Sequence, residues 1–249
     1  MNLEELSGAV LVPLCRAAAA GEGRDALYPA LLTEPLLLGL LSPAAAPGPT
    51  RVIHASTPSR LVEAPALKAP VLPLYLSVAA LRADAADRGY WPDGVEQAEV
   101  LAGGAAFPPL ARQPGALLVG GDGLTLPLDA GEVAALGEGL TPPAFLEALR
   151  DLSARGRGRD VARRLAARML YVLGHPDGGL LLFSGEVPAF VHLASAERFA
   201  ARLSSQSGTR SQHGLVLGSE LFQKAQRGRL KILVEPGPGS FSLRAADLR

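Results

Sequence analysis

The string Gly21-Glu22-Gly23-Arg24-Asp25 recurs 135 residues later as Gly156-Arg157-Gly158-Arg159-Asp160. Fourteen residues after the Asp of each copy stands a Gly that closes an apolar run, Leu36-Leu37-Leu38-Gly39 in one case and Tyr171-Val172-Leu173-Gly174 in the other. Self-similarity of this kind constrains the fold more than any single motif, because each copy has to be a structural unit with its own apolar face. Farther along, Pro73-Leu74-Tyr75-Leu76 answers Pro188-Ala189-Phe190-Val191 at an offset of 115, and Gly115-Ala116-Leu117-Leu118-Val119 answers Gly228-Arg229-Leu230-Lys231-Ile232 at 113. The shrinking offset implies insertions in the first half. They are visible as a Pro-rich connector over residues 42–49 and a longer link over 62–70, where loops belong. A helix stop followed by a helix start at residues 137–142 divides the chain into units 1–138 and 139–249.

The spacing predicts one order of elements for both units. A helix (residues 3–19; 143–154) ends at Gly21 or Gly156, fitting glycine in the left-handed position after a helix. Asp25 and Asp160 then fit N-cap carboxylates for the next short helix. Strands at 36–40 and 51–55 are answered at 170–173 and 180–183. A third strand, 71–76 or 187–191, passes into a helix. A hairpin of 116–119 with 124–128, or 230–234 with 240–243, closes each unit. The expected class is α+β: two similar tandem units, each a mixed, mostly antiparallel sheet flanked by helices.

Composition narrows the function classes. Lys and Arg number 24 against 24 Asp and Glu, so the chain lacks the basic surplus on which nucleic-acid and anionic-membrane binding rest. The most apolar window, residues 30–41, is interrupted by Thr33-Glu34-Pro35 and is too short for a span of roughly 20 apolar residues. The acidic start Met1-Asn2-Leu3-Glu4-Glu5 does not suit a secretory signal. The reading is a soluble, cytoplasmic protein with no nucleic-acid or membrane partner. The 21 Arg against three Lys look like genome composition and carry no mechanistic weight.

The chemistry-bearing residue types lead to plain readings. Gly120-Gly121-Asp122-Gly123 precedes Leu124-Thr125-Leu126-Pro127, which alternates like a strand; a phosphate loop needs a helix there, so a hairpin turn is expected. His54, His175, His192 and His213 lack the three- or four-residue spacing of helix-borne metal ligands, and no metal or cofactor is implied. Cys15, between Leu14 and Arg16-Ala17-Ala18, reads as a small core thiol. No Gly-x-Ser-x-Gly elbow is present. The chain leans away from being an enzyme.

Two segments remain as interaction candidates. The second unit carries a basic stretch containing Arg157, Arg163 and Arg164, read as a solvated helix face or a surface for an acidic protein. Arg88-Gly89-Tyr90-Trp91-Pro92-Asp93-Gly94 sets the sole Trp beside a Tyr within turn residues, in an insertion the second unit lacks. Tyr90 and Trp91 are either binding anchors or the packing of a loop over its own unit.

The step Pro73-Leu74-Tyr75-Leu76-Ser77-Val78-Ala79-Ala80-Leu81, with the late strand at 115–119 and its hairpin, resembles the SseB (enhanced serine sensitivity) family. There a Pro-x-Phe-x-Ser-x-x-x-Leu strand-to-helix step recurs. The resemblance covers roughly residues 24–135 and more loosely 160–248, where His192 stands in place of the Ser. It implies tandem SseB-like modules and carries no catalytic residues. The leading expectation is a non-enzymatic protein-interaction or adaptor module, monomer or homodimer. The alternative is a sensor of an amino acid or metabolite, or a weak enzyme, with its site between the two units.

Overall fold

The computed structural model describes residues 8–46, 48–52 and 57–248. The expected helix start at residues 3–7, Pro47 of the connector, His54 and most of the strand expected at 51–55 lie outside the described residues. The fold is α+β, in two compact units: Met1–Leu110 with Pro114–Asp129 and Val133–Thr141, and Pro142–Arg249 with Ala111–Gln113 and Ala130–Glu132.

In the first unit, α1 (Leu11–Ala19) and α2 (Arg24–Thr33) are joined by a turn in which Gly21 takes φ +89° and Gly23 φ +64°. Then come β1 (Leu36–Gly39), a two-stranded ribbon of β2 (Thr50–Arg51) and β3 (Ser59–Arg60), β4 (Val62–Ala64), β5 (Ala69–Tyr75) and α3 (Val78–Arg88). They are succeeded by β6 (Ala98–Leu101), α4 (Gly103–Ala106), β7 (Gly115–Gly121), β8 (Leu124–Asp129) and α5 (Ala130–Gly137). Strand order is β6-β1-β5-β7-β8, with β4 added to β5; β5 and β7 run parallel and the other pairs antiparallel.

The buried run of β1 serves both faces of that sheet. Leu36 and Leu38 pack with Leu27 and Leu31 of α2 and Leu11 and Cys15 of α1, while Leu37 points the other way, to Leu81 and Ala85 of α3. Because strand side chains alternate, a strand covered on both faces reads as a continuous apolar run. Ser77 caps α3, its Oγ accepting from the Ala80 N–H at 3.1 Å. Asp122 (φ +49°) and Gly123 (φ +74°) form the β7–β8 turn; two successive positive φ values match the right-handed twist of the strands.

The second unit runs α6 (Pro142–Ala154), α7 (Gly158–Ala166), β9 (Met169–Gly174), β10 (Glu186–Phe190), α8 (Leu193–Ser207), β11 (Gln212–Leu217), α9 (Gly218–Gly228), β12 (Lys231–Val234) and β13 (Phe241–Leu243). Its sheet is ordered β11-β9-β10-β12-β13, again with one parallel pair, β10 with β12, among antiparallel neighbours. Gly39 and Gly174 end corresponding strands, and Gly156 adopts φ +70° after α6 as Gly21 does after α1.

Several expectations are corrected. Asp25 and Asp160 are not N-caps: Gly23 and Arg157 hold those positions, and the two carboxylates lie inside the first turns, where they complement the positive helix end. Residues 180–183 form only isolated bridges, Gly174 with Leu180 and Phe183 with Glu186. The match of Gly115 to Gly228 is out of step, since Gly228 ends α9 while Gly115 opens β7. The ladders instead pair Pro73 with Leu117 and Pro188 with Leu233. The edge strands β6 and β11 have no counterpart among the expected strands.

A correspondence that no sequence motif announces joins each edge strand to the helix after it. Gly103 opens α4 directly against the end of α2: a Cβ there would collide with the carbonyl oxygens of Leu31 and Glu34. Gly218 opens α9 against α7, and its Cβ would collide with the carbonyl of Leu165. Both are helix-start glycines required by close backbone approach rather than by φ.

Candidate functional site

Tyr90 and Trp91, adjacent in sequence, have different fates. Tyr90 comes directly after Gly89, the left-handed C-cap of α3 at φ +63°, which turns the chain back over the sheet. The Tyr90 ring is wholly buried between Gly39 and α3, where a Cβ on Gly39 would meet it at 2.8 Å. Its hydroxyl lies 3.0 Å from that of Tyr75, which donates to Asp84 Oδ2 at 2.6 Å. Arg88 Nε donates to Asp84 at 2.8 Å, and the Arg60 guanidinium sits 5.7 Å from the Tyr90 ring centroid. Tyr90 is therefore a core residue and not an exposed anchor. Burial first, then the neighbouring phenol and carboxylate, push the Tyr75 phenol far above its ordinary range, and burial raises Tyr90 likewise.

Trp91 is half-buried. Its Nε1 donates to the Leu40 carbonyl at 2.8 Å, and its ring meets that of Tyr90 edge-on at 6.4 Å. One side of the indole lines an open cavity of about 290 Å³ shared with Arg82, Ala85, Ala86, Gly89 and Glu96. Arg82 Nε donates to Glu96 Oε2 at 3.0 Å, closing one flank with an ion pair.

Arg157, Arg163 and Arg164 of the second unit do not line a common cavity. Arg157 Nε and Arg163 Nη1 both donate to Asp160, at 2.6 and 3.2 Å, and so share one carboxylate along α7. Arg164 is half-buried on the same helix, and its carbonyl accepts from Arg168 Nε at 2.9 Å. Arg168 is buried with its guanidinium 4.9 Å from the Phe145 ring centroid. Cys15 is fully buried in the first unit, and burial pushes its thiol up to about 11, which makes it a poor nucleophile.

A second cavity, of about 350 Å³, lies within the second unit at the carboxyl ends of the parallel strands β10 and β12. Arg198 and Arg202 of α8 and Arg150 of α6 line it, together with Phe199, Pro236 and Glu235. Glu235 is buried and points its carboxylate at the start of α8, where Oε1 accepts from the N–H groups of Val191 at 2.7 Å and His192 at 3.3 Å. A carboxylate from the end of β12 thus holds the two residues that lead into α8, whereas in the first unit Ser77 caps an N–H inside the first turn of α3. Sequence reasoning misses this set because arginine is abundant along the whole chain. The one local signal is the four-residue spacing of Arg198 and Arg202, which puts both on one helix face.

No protein-family model, no curated protein and no solved structure matches the chain. Among the described residues, no helix is long and apolar enough to cross a membrane.

Proposed function

We propose that the protein is a non-catalytic interaction module of two SseB-like units, which engages a protein partner through the Trp91 cavity of its first unit. The observation that carries this reading is the state of Trp91. Its indole is fixed by the bond to Leu40 and by Tyr90, yet one side faces an open cavity floored by Ala85 and Ala86. A large aromatic already held in place loses little conformational entropy when a partner covers it, which is the condition for a binding hot spot. The partner that fits is an apolar side chain on the alanine floor, flanked by polar groups that meet the Arg82–Glu96 pair. The shared strand order and the single parallel pair in each sheet support an ancestral doubling. The loop that bears Trp91 then belongs to the first copy alone.

The test uses the full chain as bait in a native lysate. Ala86 is an exposed α3 residue lining the cavity, so Ala86→Arg fills the floor without entering the core. A partner captured by the wild type and by the exposed-surface control Ala66→Arg, but lost with Ala86→Arg, supports the proposal. Equal capture by all three overturns it. Trp91 is the sole Trp, so its emission reports whether a captured partner covers the ring.

A further inference from the structure

We infer that the arginine-lined cavity of the second unit binds a phosphate monoester. The inference is independent of the Trp91 site and rests on how the charges in this cavity are already committed. In open α/β sheets ligands bind in the crevice beyond the carboxyl ends of the strands, and the one parallel pair of this mixed sheet has a cavity in the corresponding place. Here that place lies between β10, β12 and the start of α8, and Glu235 already accepts from the Val191 and His192 N–H groups that lead into the helix. An incoming anion therefore sits farther along α8, against Arg198 and Arg202, with Arg150 of α6 lining the same cavity.

Arg150, Arg198 and Arg202 line one cavity, and their charges are not committed to a carboxylate as those of several other arginines are. Arg82, Arg88, Arg155, Arg157 and Arg163 each lie within 4 Å of a carboxylate. Among the described residues Arg150, Arg198 and Arg202 have no such partner, and neutral groups hold them in place. Arg150 Nε donates to the Gly239 carbonyl at 3.0 Å, Arg198 Nη2 donates to Ser195 Oγ at 3.3 Å, and the Arg202 guanidinium rests 4.9 Å from the Phe199 ring centroid. Each keeps N–H groups for a ligand.

Charge and shape select the ligand class. Three guanidinium charges against the Glu235 carboxylate leave a surplus of two, which a phosphate dianion balances and a single carboxylate does not. Phosphate also presents three acceptor oxygens to forked donors arriving from two helices. Pro236 and Phe199 supply an apolar wall for the carbon-bearing part of the ester, and about 350 Å³ lies at the small end of ligand pockets.

Isothermal titration of the full chain with inorganic phosphate, glycerol phosphate, a phosphoserine peptide, sulfate and succinate tests the inference. The expected result is saturable binding of the phosphate probes, weakened about tenfold or more by Arg198→Gln and by Arg202→Gln at unchanged melting temperature, and unaffected by Arg227→Gln on α9. Binding of glycerol phosphate should fall about tenfold between pH 7.5 and 5, because the second phosphate ionisation lies near 6, while sulfate shows no such fall. Tighter binding of the peptide assigns the source to a phosphoprotein, and tighter binding of glycerol phosphate to a small metabolite; either supports phosphate recognition. Equal binding of succinate and phosphate with no pH dependence, or no saturable binding of any probe, overturns it. Because the Ala86→Arg variant leaves this cavity untouched, failure here and failure of the Trp91 proposal are read separately.

Discussion

The hydroxyl oxygens of Tyr75 and Tyr90 lie 3.0 Å apart in the buried interior of the first unit, and the direction of their hydrogen bond is fixed by a third group. Asp84 accepts from Tyr75 at 2.6 Å, which uses the one hydroxyl proton Tyr75 has; Tyr90 therefore donates to Tyr75. The chain Tyr90, Tyr75, Asp84, Arg88 ties the loop after α3 to strand β5.

That direction predicts unequal mutants. Tyr90→Phe removes the terminal donor and should cost about 0.5–1.5 kcal/mol. Tyr75→Phe strands the buried Tyr90 hydroxyl as well and should cost about 1–3 kcal/mol. The double mutant should cost less than the two singles together, since one hydrogen bond is counted in both. Urea denaturation of the four proteins measures the cycle.

Alkaline pH should destabilise the first unit. Both phenols are raised by burial, so the folded state keeps protons that the unfolded chain releases near its ordinary phenol value of about 10. Their contribution to stability is fully present below about 10 and falls as the pH climbs above it. Ultraviolet titration should show Tyr75 and Tyr90 ionising only on unfolding, and Tyr75→Phe/Tyr90→Phe should flatten the pH dependence.

The Cys15 thiol should be silent in the native protein. With its pKa pushed up to about 11 and no exposed surface, it should resist a thiol reagent at pH 8 and react stoichiometrically in denaturant. The raised value adds stability that is intact below the unfolded thiol pKa of about 8.5 and is lost as the pH rises toward 11. Rapid labelling under native conditions would contradict the burial.

Gly103→Ala and Gly218→Ala should each destabilise by about 1–3 kcal/mol, because the new methyl group meets backbone carbonyls that cannot step aside. Gly104→Ala, one residue along α4, has only a carbonyl at ordinary contact distance and should be near neutral. Thermal melts of the three variants make the comparison.

The parts of this fold that are legible in the sequence are those encoded by local chemistry. Gly21 and Gly156 announce left-handed positions, Asp122-Gly123 a tight hairpin turn, and Leu36-Leu37-Leu38 a strand buried on both faces. The edge strands are illegible for a physical reason: Ala98-Glu99-Val100-Leu101 is mostly half-buried, and Gln212 to Leu217 includes a glycine and no clean polar alternation. Asp25 and Asp160 mislead because an acidic residue suits both the cap and the first turn, and only the backbone angles separate the two. Tyr90 and Trp91 look alike in sequence and are parted by the turn at Gly89. The arginine cavity draws on α6, α8 and the link after β12, residues far apart in the chain, so no local pattern gathers them.

The pair Gly103 and Gly218 has a reach beyond either unit. They stand 115 residues apart, the same interval that separates Pro73 from Pro188. From the proline of the strand to the glycine that opens the helix each unit thus counts the same thirty residues, so the two seams are set at one distance along the chain although the loops between differ.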